Sequence, residues 1–398
     1  MNLVWGNFDF EHHLGPGSPR ALSAQIRRRN AELAFCLAPL AQPGDCLWTP
    51  EPPDVEFAAH LAEVGVPGVR FVNKVEDVPP GAMLVPWGWC RAADEWAAKN
   101  GWTREVPDLA VVALVNSREF SSALETEWGV GLPGAVAIRT LPELDRVLTA
   151  AVERSGGWVI KANFGMSARE RILGRGGRPR PQDQEWARRR LERGEPIFFE
   201  PWVEAIAEFG CQFSLSPTGF PRLEGVTGLL TDAQGTYRGS RLFPAGGGAG
   251  RDCLPADVLE IVERAAKRIQ QAGYFGQLGI DVMQYRASTG ELGWRPLQDI
   301  NARWTMGRVA LGWQRVLGPD TGANWLHFRR PVAPVVDDPR LADVLGELPA
   351  DVRVIRTSPL AVGGRPATLG TALVIGRSDQ IFGQAQPADR MVHGESSD

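Results

Sequence analysis

Apolar and polar positions along this chain keep changing period, and the changes predict its elements. Over residues 19–37 the apolar side chains Leu22, Ile26, Leu33 and Leu37 recur at helical spacing, with Arg27, Arg28, Arg29 and Glu32 turned mostly outward. Short apolar runs at 3–5, 46–48, 69–72 and 83–86 read as strands. Helical patterns at 54–64, after a Pro-Pro pair, and at 92–99 separate the later runs. Strands that alternate with helices pair in parallel, which predicts a small Rossmann-like α/β domain at the N-terminus.

Beyond about residue 115 the pattern changes. A helix over 144–152 leads to a strand at 158–162. A charged helix over 182–193, capped by Asp183 and stopped at Gly194, leads to a strand at 197–203. Runs at 209–216, 222–230 and 235–243, punctuated by Pro-Thr-Gly and Asp-to-Gly turns, predict antiparallel strands. The helix over 257–272 is the clearest: Val258, Val262, Ala265 and Ile269 form one stripe that Gly273 ends. A hairpin follows, with strands at 278–285 and 291–301 around a turn at 288–290, and then a helical segment from Met306 to about 317. After Pro331 the composition shifts to a short helix at 337–345, strands at 352–356 and 368–375 joined through Gly363-Gly364, and a polar tail over 384–398. The fold class expected is α/β plus α+β, with units at 1–115, 116–200 and 201–330 and a small C-terminal β-containing module at 331–398.

Composition narrows the function classes. The 398 residues are 43% hydrophobic and 23% charged, with a net charge of −4, as in an ordinary globular protein. That balance gives no general attraction to nucleic acid or to an anionic membrane, and neither is expected as a partner. Five scattered cysteines with no Cys-x-x-Cys pair argue for reduced thiols in a cytoplasm. No secretory leader or membrane span is expected; the apolar run at 109–115 is too brief to cross a bilayer.

The predicted hairpin at 278–301 carries the strongest candidate chemistry. Side chains alternate across a strand, so Asp299, Asn301 and Arg303 share a face, and Asp281 on the partner strand comes opposite. Two carboxylates, an amide oxygen and a guanidinium on one face suit a hard cation bridging to phosphate. The competing reading is a surface hairpin with scattered charges. Two loops at carboxyl ends of the N-terminal strands, residues 6–13 and 87–89, suit a substrate. Glu11 or His12 would be a polar reader and Trp87 and Trp89 an apolar wall, against the alternative of turn and packing roles. Lys161 faces away from Trp158 and Ile160, either as a phosphate ligand or as an edge-strand lysine. Arg238 and Arg241 suit a transferred phosphoryl group or an acidic substrate, and the glycine run at 246–250 suits a lid or linker.

The pair GIDV and PLQDINARWTMG resembles the end of an ATP-grasp catalytic domain, and VVALVNSREFSSALETEWGVGLPG, WVIKA and IFFEPWV follow the order of that superfamily across roughly residues 116–312. By that resemblance Asp281, Asp299 and Asn301 hold the metal of Mg-ATP, with manganese able to replace magnesium. Asp299 stands where Glu is usual. Arg118, where Lys is more usual, and Lys161 meet phosphates; Glu200 accepts from the adenine amino group; Trp202 and Val203 meet the ring edge; Glu204 or Glu208 holds the ribose. The phosphate loop NFGMSARERI is glycine-poor, and Arg169 and Arg171 stand in for backbone donors. With Arg303, Arg238 and Arg241 as catalytic cations, the resemblance implies an ATP-dependent ligase that joins a small-molecule carboxylic acid to an amine through an acyl phosphate, forming ADP. An ATP-grasp kinase and a non-catalytic nucleotide-binding module are the alternatives, and a homodimer stays open as the assembly.

Overall fold

The structure, a computed structural model, describes residues 1–15, 22–66, 68–153, 157–165, 170–175, 179–232, 234–244, 250–287, 289–318, 320–329 and 352–376. The expected helix over 337–345, the tail over 384–398 and most of the glycine run at 246–250 lie outside the described residues.

Four short strands, β1 (Asn2–Trp5), β2 (Cys46–Trp48), β3 (Arg70–Val72) and β4 (Met83–Pro86), form a parallel sheet in the order β3-β2-β1-β4. Leu3, Leu47 and Leu84 are fully buried, as expected for parallel strands covered on both faces. The covering helices are α1 (Ala24–Leu33), α2 (Phe57–Glu63) and α3 (Arg91–Lys99). The helix expected over 19–37 is shorter: Ser23 Oγ caps α1 by accepting from Ile26 N at 3.2 Å, and residues 34–40 tighten into a 3-10 turn around Pro39. Glu32 does not face solvent. Its carboxylate accepts from the backbone of Thr368 (3.1 Å) and Leu369 (2.9 Å), because a C-terminal strand covers that face of α1. Trp5, Trp48 and Trp102 all contact Trp96, so several tryptophans serve packing here.

Helices α4 (Leu109–Val115) and α5 (Arg118–Trp128) lead to a second, antiparallel sheet. It comprises β5 (Val136–Ile138), β6 (Gly157–Ala162), β7 (Arg171–Arg175) and β8 (Ile197–Pro201) in the order β5-β8-β6-β7. Two helices accompany this sheet, α6 (Leu141–Glu153) and α7 (Pro181–Glu192). Asp183 is not the cap of α7: Pro181 starts the helix, Arg180 precedes it, and Asp183 in the first turn pairs with Arg180 at 2.8 Å. Gly194 ends the helix in the left-handed region, φ +72°.

The third sheet runs β13-β12-β9-β10-β11-β14-β18-β15, antiparallel throughout. Its strands are β9 (Glu204–Leu215), β10 (Arg222–Thr231), β11 (Tyr237–Leu242), β12 (Gly276–Arg286), β13 (Leu292–Asn301), β14 (Gly322–Arg329), β15 (Arg353–Arg356) and β18 (Leu369–Gly376). Helix α8 (Ala256–Gln271) buries Val258, Val262, Ala265 and Ile269, the stripe its spacing predicts, and α9 (Met306–Gly312) follows β13. The strands expected at 352–356 and 368–375 pair with each other and complete this sheet through β14. The hairpin between them, β16 (Ala361–Val362) and β17 (Arg365–Pro366), docks on the N-terminal domain: Arg28 Nη1 donates to Val362 O at 2.8 Å, and Leu360 N donates to Asp54 Oδ2 at 2.7 Å.

Candidate active site

The three sheets meet around a cleft of about 380 Å³. One wall is the N-terminal domain (Phe8, Glu11, Ile26, Trp87), one is the small lobe (Lys161, Arg171), and the floor is the face of the large sheet, from Asn301 on β13 across to His327 on β14.

The hairpin β12–β13 pairs Asp281 with Asp299 and Gly279 with Asn301, so the expected face forms. Asn301 Nδ2 donates to Asp281 Oδ2 at 3.3 Å, and Arg303 Nη2 donates to Asn301 Oδ1 at 2.8 Å. Arg118 Nη1 donates to Asp299 Oδ1 at 3.4 Å from the first turn of α5. Ser117 caps that helix, and its start is fastened on two sides. Asn116 Oδ1 accepts from Ala302 N at 2.9 Å, while Asn163, in the loop after β6, accepts from Arg118 N and Glu119 N at 3.0 Å each. Burial, then the charge of Asp299, pushes the Asp281 carboxyl up to about 8. A buried carboxylate beside a second one fits a cation. Among the described residues no group of three His, Cys, Asp or Glu gathers into a metal cage. Two carboxylates and an amide oxygen are nevertheless what magnesium takes from a protein when phosphate oxygens and water complete its shell.

Lys161 and Glu200 belong to a buried chain of charges. Lys161 Nζ donates to Glu200 Oε2 at 2.7 Å; Arg295 donates to both Glu200 oxygens at 2.8 and 3.0 Å, and to both Glu125 oxygens at 2.6 and 3.0 Å. Burial pushes the Glu200 carboxyl up, but Lys161 and Arg295 outweigh it, and the group lies far below the usual carboxylate range. Burial lowers Lys161, against the pull of Glu200. Glu200, expected to accept from the adenine amino group, does not line the cleft, and both its oxygens accept from cations. Glu125 and Arg295 carried no signal in the sequence that sets them apart from the other charges of α5 and β13.

The remaining expected residues divide. Glu208 lines the cleft, accepting from Thr231 Oγ1 at 2.6 Å and Gln298 Nε2 at 2.7 Å. Glu204 is exposed and pairs with Arg286 at 3.2 Å, so of the two ribose candidates only Glu208 faces the cleft. Strand β8 ends at Pro201, and neither Trp202 nor Val203 lines the cleft; Trp202 lies behind Arg171, whose guanidinium sits 5.9 Å from the indole centroid. Arg238 is held by Asp232 at 2.8 Å, and neither it nor Arg241 lines the cleft; the β11 side chain that does is Tyr237. Arg169 of the phosphate loop lies outside the described residues, while Arg171 reaches the cleft. Sequence reading missed Gln212, held by Thr305 Oγ1 at 2.6 Å, and His327, which burial pushes down to about 3.

A small antiparallel lobe and a larger one clasping a cleft, behind a parallel α/β domain, make this the ATP-grasp fold. Solved structures of that fold match nearly the whole chain: an N5-carboxyaminoimidazole ribonucleotide synthetase complexed with ADP (TM-score 0.52, 10% identity, 97% of this chain and 93% of that one). The enzyme of the same name from Thermus thermophilus is similar at TM-score 0.51 and 15% identity, over 99% of this chain and 100% of that one. The biotin carboxylase domain of the Hydrogenobacter thermophilus 2-oxoglutarate carboxylase, a dimer with MgADP, ADP and bicarbonate, matches at TM-score 0.51 and 12% identity, over 94% and 86%. No protein-family model and no curated protein sequence matches the chain.

Proposed function

We propose that the protein is an ATP-dependent ligase that joins a small-molecule carboxylic acid to an amine and releases ADP and phosphate. The observation that carries this reading is the meeting, in one cleft, of the Asp281–Asp299–Asn301 face with Arg118, Arg303 and, from the other lobe, Lys161. The similar solved structures supply the fold, and two of them hold nucleotide.

Asp281, Asp299 and Asn301 would hold magnesium, or manganese in its place. The ion would neutralise charge on the phosphate oxygens of ATP. Lys161 and Arg118 would bind those phosphates from the opposite side and Glu208 the ribose diol. A substrate carboxylate oxygen attacks the γ-phosphorus, the bond to the β-γ bridging oxygen breaks, and ADP leaves. The amine nitrogen then attacks the acyl carbon, the carbon–oxygen bond to phosphate breaks, and the nitrogen gives up a proton. Arg303 would bear the charge of the acyl phosphate, and lobe closure would keep water from it. All five cysteines are unpaired, in keeping with a reducing cytoplasm; among the described residues no helix is long and apolar enough to cross a membrane.

Hydroxylamine tests this reading. Incubated with the protein, Mg-ATP and a panel of small carboxylic acids, it is expected to give a hydroxamate stoichiometric with ADP for the acid that is used. ADP formed from a hydroxyl compound with no hydroxamate would favour a kinase. Mg-ATP binding with no turnover across the panel would favour a binding module.

A further inference from the structure

The N-terminal wall of the cleft carries an acidic group that the phosphate and metal chemistry does not use. Glu11 sits in the 3-10 turn Phe10–His13 after β1, and its side chain is 10% exposed. One oxygen, Oε1, lies 2.6 Å from Arg303 Nε; the other, Oε2, is buried and has no hydrogen-bond partner. Its loop is fixed in place. Asn7 Nδ2 donates to Gly88 O at 2.9 Å and Asn7 Oδ1 accepts from Gly88 N at 3.3 Å, locking the β1 loop to the β4 loop. Asn30 of α1 donates to Asp9 Oδ1 at 2.5 Å, and His13 pairs with Asp9 at 3.0 Å. Gly88 has no room for a side chain: a Cβ there would stand 2.6 Å from the Phe10 ring. A carboxylate on so fixed a loop, ion-paired through Oε1 and with Oε2 lacking a hydrogen-bond partner, is a positioned acceptor.

The surroundings define what fills it. Phe8 and Trp87, with ring centroids 4.8 Å apart, and Ile26 and Leu33 of α1 line the same wall. An ionised carboxylate only accepts hydrogen bonds, so it repels a carboxylate or phosphate and takes a donor, a cationic N–H group more strongly than a neutral hydroxyl. We propose that Glu11 is the recognition group for the amine substrate, and that this substrate is a primary amine on an aryl or branched-alkyl body resting against Phe8, Trp87, Ile26 and Leu33. The proposal rests on the ligase reading above and names its nitrogen donor. Arg303 joins the two ends of the cleft, touching Glu11 on one side and Asn301 on the other, so an amine at Glu11 lies next to the phosphoryl end of the site.

Calorimetric titration of the full-length protein with phenethylamine, 2-phenylethanol, 3-phenylpropionate and ethanolamine, with and without MgADP, tests it. Phenethylamine is expected to bind at least tenfold more tightly than each of the other three. Glu11→Gln should weaken phenethylamine roughly tenfold to a hundredfold, the loss of one charge-assisted hydrogen bond, with 2-phenylethanol affected less than threefold. Glu11→Asp, which keeps the charge but shortens the reach, should give an intermediate loss and covers the case in which the amide variant fails to fold. A preference for 3-phenylpropionate, equal binding of 2-phenylethanol, an amine preference that survives Glu11→Gln, or no binding by either amine overturns the proposal. Failure of MgADP to bind counts against the nucleotide reading instead, and the nucleotide-free titration still reports on Glu11.

Discussion

Replacing Arg295 with Met removes the middle of the charge chain that joins the two lobes. The guanidinium donates four hydrogen bonds, two to Glu125 and two to Glu200, and its side chain is only 5% exposed. Glu200 keeps Lys161 at 2.7 Å, but Glu125 is left as a buried carboxylate with no cation in contact. Breaking a buried ion pair from one side costs about 4 kcal/mol. With an unfolding entropy of about 2.1 cal/mol/K per residue over 398 residues, the midpoint should fall by roughly 5 °C in a thermal melt at pH 8. Burial already raises the Glu125 carboxyl above its ordinary value, so in the variant it takes up a proton as pH falls, and the deficit should narrow towards pH 5. The double variant Glu125→Leu/Arg295→Met removes the stranded charge and should regain more than half of the loss. A drop under about 1 °C for Arg295→Met, or a double variant no better than the single one, would refute the reasoning.

Three further outcomes follow from the same contacts. Asp281 has a folded-state value of about 8 against an ordinary 3.8, so the folded form holds its proton where the unfolded chain has lost it. Stability should therefore fall as pH rises from about 4 to about 8, and Asp281→Asn should melt higher than wild type at pH 8 but alike near pH 4; parallel pH profiles for the two would contradict this. Lys161→Ala should abolish the thermal stabilisation given by Mg-ATP, read by differential scanning fluorimetry, whereas Arg238→Ala, with its guanidinium held on Asp232, should retain it. Gly88→Ala forces a methyl group to 2.6 Å from the Phe10 ring and should destabilise by about 1–3 kcal/mol in urea unfolding, while Gly290→Ala, whose Cβ meets nothing, should show only the smaller strain of its positive φ.

The hairpin was legible in part: two-residue alternation puts Asp299 and Asn301 on one face and brings Asp281 to the same face of the pair, whereas the direct pairing of Asp281 with Asp299 depends on a register shift between Asp281 and Met283 that alternation does not carry. Helix α8 was legible for the same kind of reason, since its four-residue stripe has one way to be buried. Long-range partners were not legible. Glu200 reads as a free acceptor in IFFEPWV until Arg295 arrives from a strand 95 positions later, and Glu32 reads as a solvent-facing charge until β18 covers it. Arg238 failed for a local reason: β11 presents its neighbour Tyr237 to the cleft, and Asp232 in the preceding turn captures Arg238. The C-terminal strands were found as strands, but pairing with β14 is a tertiary fact that composition does not carry.

The central claim is that Asp281, Asp299 and Asn301 hold a divalent ion against nucleotide phosphates in the cleft. Crystals of the full-length protein grown with ADP and manganese, measured for anomalous scattering, test it most directly. The expected result is a manganese peak between the Asp281 and Asp299 carboxylates, within about 2.5 Å of their oxygens and in contact with a phosphate oxygen, with Lys161 on the far side of the phosphates. ADP bound with no metal at those side chains, or a metal peak elsewhere on the chain, would contradict it.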